Sequence, residues 1–358
     1  VDRTLDRVVA GERLCEADAL RLYLEGDLDA LGRAADAVRG RLHPEGLVTY
    51  VIDRNINYTN VCETYCSFCN FYRPKGHREG YLLTHEQIFE KIAELKAVGG
   101  TEVLMQGGIH PDLTIEYYEE MLRAIKARFD VHLHALSPPE IDYIATVSKL
   151  SLRETLARLK AAGLDSIPGG GAEILVDRVR DSISRLKLKS EPWLAVHREA
   201  HRLGIPSTAT MMYGTVETPE EVIAHLAKVR ALQDETGGFT AFIPWNFQGE
   251  GTPLLKARGS TLRKLPGDHY LRTIAVARLF LDNVPNLQSS YVTQGSAVAQ
   301  RSLRFGVNDM GGTMMEENVV SAAGTMHLMA VEELLRLVRE AGFRPAQRNT
   351  RYEILRVH

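Results

Sequence analysis

Along the first forty residues, apolar positions recur at helical spacing: Ala19, Leu20, Leu22 and Tyr23, then Leu28, Leu31, Ala34 and Ala35. Side chains three or four apart share a helix face, so the pattern predicts two helices over 16–40. From about Leu47 the pattern changes. Short β-rich runs at 48–57, 102–106, 131–135, 166–167, 207–212, 240–245 and 287–292 alternate with amphipathic stretches. The latter predict helices at 84–98, 114–128, 138–147, 151–162, 191–203, 218–236 and 267–281. Thr84 with Gln87 has the form of a capping box, and Gly99-Gly100 gives a helix stop. Thr218-Pro219 with Glu221 marks another helix start.

Strands alternating with helices predict an α/β fold with a parallel sheet of right-handed βαβ units. Six or seven units favour a barrel over an open sheet, and periodicity alone does not decide closure. The division expected is a helical extension at 1–46, a β/α core at 47–306 and a C-terminal extension at 307–358 that closes the barrel. The extension carries a helix at 330–341 and a closing segment at 350–357. A chain of 358 residues can bury a core of this size.

A net charge of −3 gives no basic field to attract nucleic acid or an anionic membrane. No apolar run reaches the roughly 18–20 residues that span a bilayer. Residues 1–14 alternate charged and apolar positions and lack the apolar stretch of a secretory signal. The expectation is a cytoplasmic protein with no nucleic-acid partner and no integral membrane association.

Cysteine use changes the picture most. Of four cysteines, three fall between 62 and 69, whereas a disulfide framework is even-numbered and dispersed. Cys15 stands apart and reads as an ordinary buried thiol. The stretch Asn57-Tyr-Thr-Asn-Val-Cys62-Glu-Thr-Tyr-Cys66-Ser-Phe-Cys69-Asn-Phe-Tyr-Arg-Pro74 follows the first predicted strand of the alternating region. It therefore lies at a C-terminal strand end, where parallel α/β folds assemble their sites. Three thiolates suit an iron–sulfur cluster or zinc. Structural zinc takes a fourth ligand, which His77 could supply, so a zinc-stabilised binding module is the alternative from another class. On a cubane, three ligands leave one iron open to a small molecule.

Other groups sit at predicted strand ends. Gln106-Gly107-Gly108 allows close backbone approach to a ligand, or a tight turn. His132 and His134 share one strand face and precede Ser137 and Glu140, which suits proton transfer or a satisfied core. Lys187 and Arg178 read as exposed helical cations, with pairing to a ligand carboxylate as the alternative. Tyr291 and Gln294, with 308–313, read as a far wall of the site or as turn residues.

Cys-x3-Cys-x-aromatic-Cys, with Phe68 as the aromatic, resembles the signature of the radical S-adenosylmethionine (SAM) superfamily. Longer strings include Phe71-Tyr-Arg-Pro, Gln106-Gly-Gly-Ile-His-Pro-Asp, His134-Ala-Leu-Ser-Pro-Pro-Glu and Thr208-Ala-Thr-Met-Met-Tyr-Gly. These resemble the cyclic dehypoxanthine futalosine synthases, from about residue 8 to 356. Aminofutalosine synthase and the deazaflavin-forming synthases share parts of the framework and are the rival enzyme readings. Asn70 departs from the alanine expected after the third cysteine.

The resemblance implies a radical SAM partial (β/α)6 TIM-like barrel and a 4Fe–4S cluster on Cys62, Cys66 and Cys69. It also implies S-adenosyl-L-methionine, contacted by Phe68, Gln106, Gly107, Gly108 and, at its ribose, Glu173. The implied reaction belongs to menaquinone biosynthesis and cyclises dehypoxanthine futalosine through a sugar radical that adds to the benzoate ring. A general base is then sought among His134, Glu140 and Asp165. Arg73, Ser137, Tyr291 and Gln294 are the substrate candidates. An external one-electron donor such as flavodoxin or ferredoxin completes the expected partners.

Overall fold

Runs of β-branched and apolar residues between capped helices become strands whose alternate side chains face in and out. The computed structural model describes all residues except 260, 261, 263, 325 and 326. Ten strands follow in order: β1 (Leu47–Val51), β2 (Asp53–Ile56), β3 (Glu102–Met105), β4 (His132–Ala135) and β5 (Ser207–Tyr213). Then come β6 (Phe239–Asn246), β7 (Asn286–Leu287), β8 (Asp309–Gly312), β9 (Arg344–Arg348) and β10 (Ile354–Val357).

Parallel ladders join β2 to β3 to β4, and β5 to β6 to β7. Single bridges at His134–Ser166 and Ile167–Ser207 carry the pairing between the two sheets. The bridge Gln288–Asp309 continues it to β8, which pairs in parallel with β1. Only Ile52 separates β1 from β2, so hydrogen-bonded neighbours lead round and return to the first strand. β9 lies parallel on the other edge of β1, and β10 runs antiparallel to β9.

Strand alternation sorts the chemistry. Val103, Met105, Leu133 and Ala135 face outward into a buried cluster with helix residues Ile88, Ile92, Ile125 and Leu156. Asp53, Asn55, Glu102, Leu104, His134, Thr208 and Thr210 instead line an interior cavity. The N-terminal helices Glu16–Glu25 and Leu28–Leu42 lay Leu22, Leu31 and Val38 into a second cluster that also holds Phe242 and Ile274. They share one core with the barrel. The capping box of Thr84 and Gln87 is formed.

Three local expectations change. A further helix, Asp2–Val9, precedes the two predicted ones. Cys15 is exposed, and its sulfur accepts from Asp18 N at 3.5 Å as a helix cap. The strand expected at 287–292 stops at Leu287, because the Ser290 amide donates to the Tyr270 hydroxyl at 2.8 Å and Tyr291–Gln294 turns helical. Among the described residues, no helix is long and apolar enough to cross a membrane.

Candidate functional site

Loops at the C-terminal strand ends surround a cavity of about 400 Å³ that reaches down into the barrel. The loop after β2 is stitched to three others. Cys62 N donates to Arg73 O at 3.0 Å and Glu63 N to Ile109 O at 3.1 Å. Ser67 N donates to Ile183 O at 2.9 Å and Leu254 N to Ser67 O at 2.8 Å. These bonds point Cys62, Cys66 and Cys69 into the cavity as free thiols. The sulfurs of Cys62 and Cys66 both meet Thr64 Oγ1, at 3.1 and 3.5 Å.

Burial pushes the Cys66 thiol up to about 11, against the pull of Lys187, and it also raises Cys69. Metal binding takes thiolates, and three thiols facing one cavity beside a half-buried cation are a donor set that fits an iron–sulfur cluster. Among the described residues, no three His, Cys, Asp or Glu side chains gather as tightly as one metal ion needs. A cubane spreads its ligands wider than one ion. His77 is exposed, with Nδ1 accepting from Glu79 N, and stands outside the cavity, so it is not placed to be the fourth ligand of a zinc site.

Gly107 and Gly108 follow β3 and press against this loop. A Cβ on Gly107 would enter the Tyr58 ring, and one on Gly108 would meet Val61 and Cys62. Glu140 fixes their position. Its Oε1 accepts from Gly107 N at 3.0 Å and Tyr58 OH at 2.7 Å; its Oε2 accepts from Ser137 N at 2.7 Å and Ser137 Oγ at 2.5 Å. Burial raises the Glu140 pKa. All four acceptor positions of the carboxylate are taken by protein, which leaves none for a substrate proton. Glu140 clamps the glycine loop to the turn after β4, and Ser137 is held by the same clamp.

Glu173, at φ +43° after the Gly169–Gly171 run, is paired at 2.7 Å with Lys187 Nζ. Lys187 is half-buried in a loop. Burial opposes its charge, yet Glu173 and Cys66 raise its pKa overall. Its ammonium lies 5.4 Å from the centroid of Phe68, and all three residues line the cavity. Reading Lys187 as an exposed helical cation is therefore corrected. Arg178 does pair at the surface, with Glu221.

His134 also lines the cavity. Ser166 Oγ contacts His134 Nδ1 at 2.6 Å and His132 Nε2 at 2.7 Å, so one hydroxyl orients both rings. Burial lowers the His134 pKa to about 3, keeping the imidazole neutral. Tyr291 lines the cavity, with its hydroxyl donating to Gly312 O at 2.8 Å.

Three sequence candidates lie elsewhere. Asp165 precedes the two-residue strand at 166–167, at the N-terminal edge opposite the loops. It holds Lys126 at 2.5 Å and accepts from Leu133 N at 2.8 Å. Arg73 pairs with Glu79 at 2.7 Å and lines a separate hollow with Lys91 and Glu316. Gln294 donates to Asn246 and Thr293 outside the cavity. Conversely, Asp53, Glu102, Arg348 and Tyr352 line the cavity floor. Inward-facing charge at alternate strand positions was the signal for Asp53 and Glu102. Nothing local marked Arg348 or Tyr352.

Residues 56–229 match the Radical SAM superfamily, and 236–358 match the CofH/MqnC C-terminal region. A cyclic dehypoxanthine futalosine synthase from Halalkalibacterium halodurans is 52% identical over 99% of this chain and 95% of its own. A 5-amino-6-(D-ribitylamino)uracil–L-tyrosine 4-hydroxyphenyl transferase from Methanopyrus kandleri is 42% identical over 100% of this chain and 98% of its own. The fold is that of methylornithine synthase, with a TM-score of 0.74 at 20% identity, covering 96% of this chain and 97% of that one. The chain belongs to the radical SAM superfamily and, within it, to the family of the cyclic dehypoxanthine futalosine synthases.

Proposed function

We propose that the protein is a radical SAM cyclase that converts dehypoxanthine futalosine to its spirocyclic product in menaquinone biosynthesis, with a flavodoxin or ferredoxin as electron donor. The observation that carries this reading is a set of three free thiols lining one barrel cavity beside the Gly107–Gly108 loop and the Lys187–Glu173 pair. When bound, the 4Fe–4S cluster supplies an electron to SAM, and SAM supplies the radical that takes hydrogen from the sugar.

Cys62, Cys66 and Cys69 hold the cluster. The Gly107–Gly108 loop, clamped by Glu140, takes the methionyl end of SAM, with Gln106 and Phe68 alongside. Glu173 faces the ribose, and Lys187 sets the charge next to the thiolates. Ser137 and Tyr291 bound the substrate space, and the cavity walls exclude water. Ring closure on the benzoate ends with loss of one proton to a base and of one electron, which the bound cluster, oxidised when the radical was generated, would take back. That ring proton is strongly acidic, so a weak base suffices, and neutral His134 fills the role.

Anaerobically reconstituted protein, given dehypoxanthine futalosine, SAM and reductant, should yield the spirocycle and 5′-deoxyadenosine by mass analysis. 5′-Deoxyadenosine without the spirocycle would overturn the substrate assignment and favour a hydroxyphenyl transferase or aminofutalosine synthase activity. Replacing Cys62, Cys66 or Cys69 by Ala should abolish cluster uptake and turnover. Full activity in any one of these variants rejects the ligand set.

A further inference from the structure

Among the carboxyl groups that line the cavity, Glu102 takes no part in the proposed chemistry. Glu102 opens β3, and alternation turns it inward with Leu104 while Val103 and Met105 pack outward. Met105 ends the strand three residues later, so Glu102 sits about 10 Å below the mouth of the cavity. It is more than nine-tenths buried and lines the cavity, yet no described residue hydrogen-bonds to its carboxylate or pairs with it as an ion.

Its neighbours explain why. Arg348, the nearby cation, is committed to Asp309 through Nε at 2.5 Å and Nη2 at 2.9 Å. His132, the partner of Glu102 in register on β4, turns its Nε2 to Ser166. Asp53, the partner in register on β2, is a second carboxyl group and accepts from Met314 N at 2.8 Å. Buried acceptors almost always have donors, so a bare carboxylate aimed into a cavity marks a place where a ligand supplies them. The Glu102 carboxylate, with the local guanidinium already neutralised, repels an anion and attracts O–H donors, and the Asp53 carboxyl group beside it adds a second polar partner for a hydroxyl. A substrate with a polyhydroxylated sugar at one end and a benzoate carboxylate at the other is thereby oriented.

We propose that Glu102, with Asp53 beside it, is a hydroxyl-recognising subsite at the cavity floor that takes the sugar end of the substrate and turns the benzoate carboxylate away. This rests on the cyclase reading above. The reconstituted holoenzyme is assayed with dehypoxanthine futalosine and with analogues that each lack one sugar hydroxyl. For the wild type, at least one analogue should lose about 10- to 100-fold in kcat/KM, as expected for a hydrogen bond to a charged group. Glu102→Ala should lose a similar factor on the natural substrate and nothing further on that analogue.

Independent losses that multiply in Glu102→Ala would overturn the subsite. So would a wild type that handles every deoxy analogue like the natural substrate. If Glu102→Ala takes up no iron, Glu102→Gln and the wild-type analogue series decide the question by the same criteria. Absence of spirocycle from the natural substrate with the wild type sinks the cyclase reading instead. Spirocycle formed without regard to the hydroxyls sinks only the subsite.

Discussion

Replacing Gly108 by Ala tests whether the glycine loop and the cysteine loop are one packed unit. The added Cβ would overlap the Val61 carbonyl oxygen, at 2.7 Å from the Val61 carbonyl carbon and 2.8 Å from Cys62 Cβ. Ordinary contact for such an atom begins at 3.4 Å, so Cys62 Cβ must retreat by about 0.6 Å. Overpacking of this kind costs about 1–3 kcal/mol. Metal sites hold ligand distances within about 0.2 Å, so the displacement falls directly on the first thiolate. Iron and sulfide per chain after anaerobic reconstitution should drop well below the wild type, with 5′-deoxyadenosine formation falling in parallel. Gly40→Ala is the control: its Cβ meets nothing within 4 Å in the helix Leu28–Leu42, and the change should add about 0.5–1 kcal/mol of stability. A Gly108→Ala protein with full iron content and undiminished 5′-deoxyadenosine would refute the packing argument.

Arg348→Met strands Asp309, which is fully buried, and breaking such a pair costs about 3–5 kcal/mol. Unfolding entropy of about 2.1 cal/mol/K per residue over 358 residues converts this to a melting point lower by about 4–7 °C. Calorimetry checks it, and a shift under 1 °C would show that the pair is idle. Burial, and then the charge of Glu102, raise the Asp53 pKa to about 7. The folded state therefore keeps a proton that the unfolded chain has released. The linked stability is present in full below about pH 4, declines as pH rises, and is gone above about pH 7. Asp53→Asn should gain on the wild type in melting temperature between pH 5 and pH 8, and a pH-independent difference would contradict the raised pKa.

Legible in the amino-acid pattern were the alternation of strand and helix, the capping box at Thr84, and the position of the cysteine loop at a C-terminal strand end. These are local properties: hydrophobic period, cap chemistry and turn residues act over a few positions. The glycines and Phe68 followed from that loop by resemblance. Which polar groups meet was decided by tertiary structure. Glu140 had the right residue type for a base, but the convergence of Tyr58, Gly107 and Ser137 on it comes from three separate loops. Asp165 and Pro168 flank the short pairing at Ser166–Ile167, yet Pro168 reaches the cavity while Asp165 lies at the opposite edge, because the pairing sends its two neighbours to different ends of the barrel. Lys187 was read from sequence as an exposed cation, since only folding brings its ammonium under Phe68 and against Glu173. Arg348 and Tyr352 reach the cavity floor from the far end of the chain because β9 pairs with β1, and no pattern short of that pairing encodes the contact.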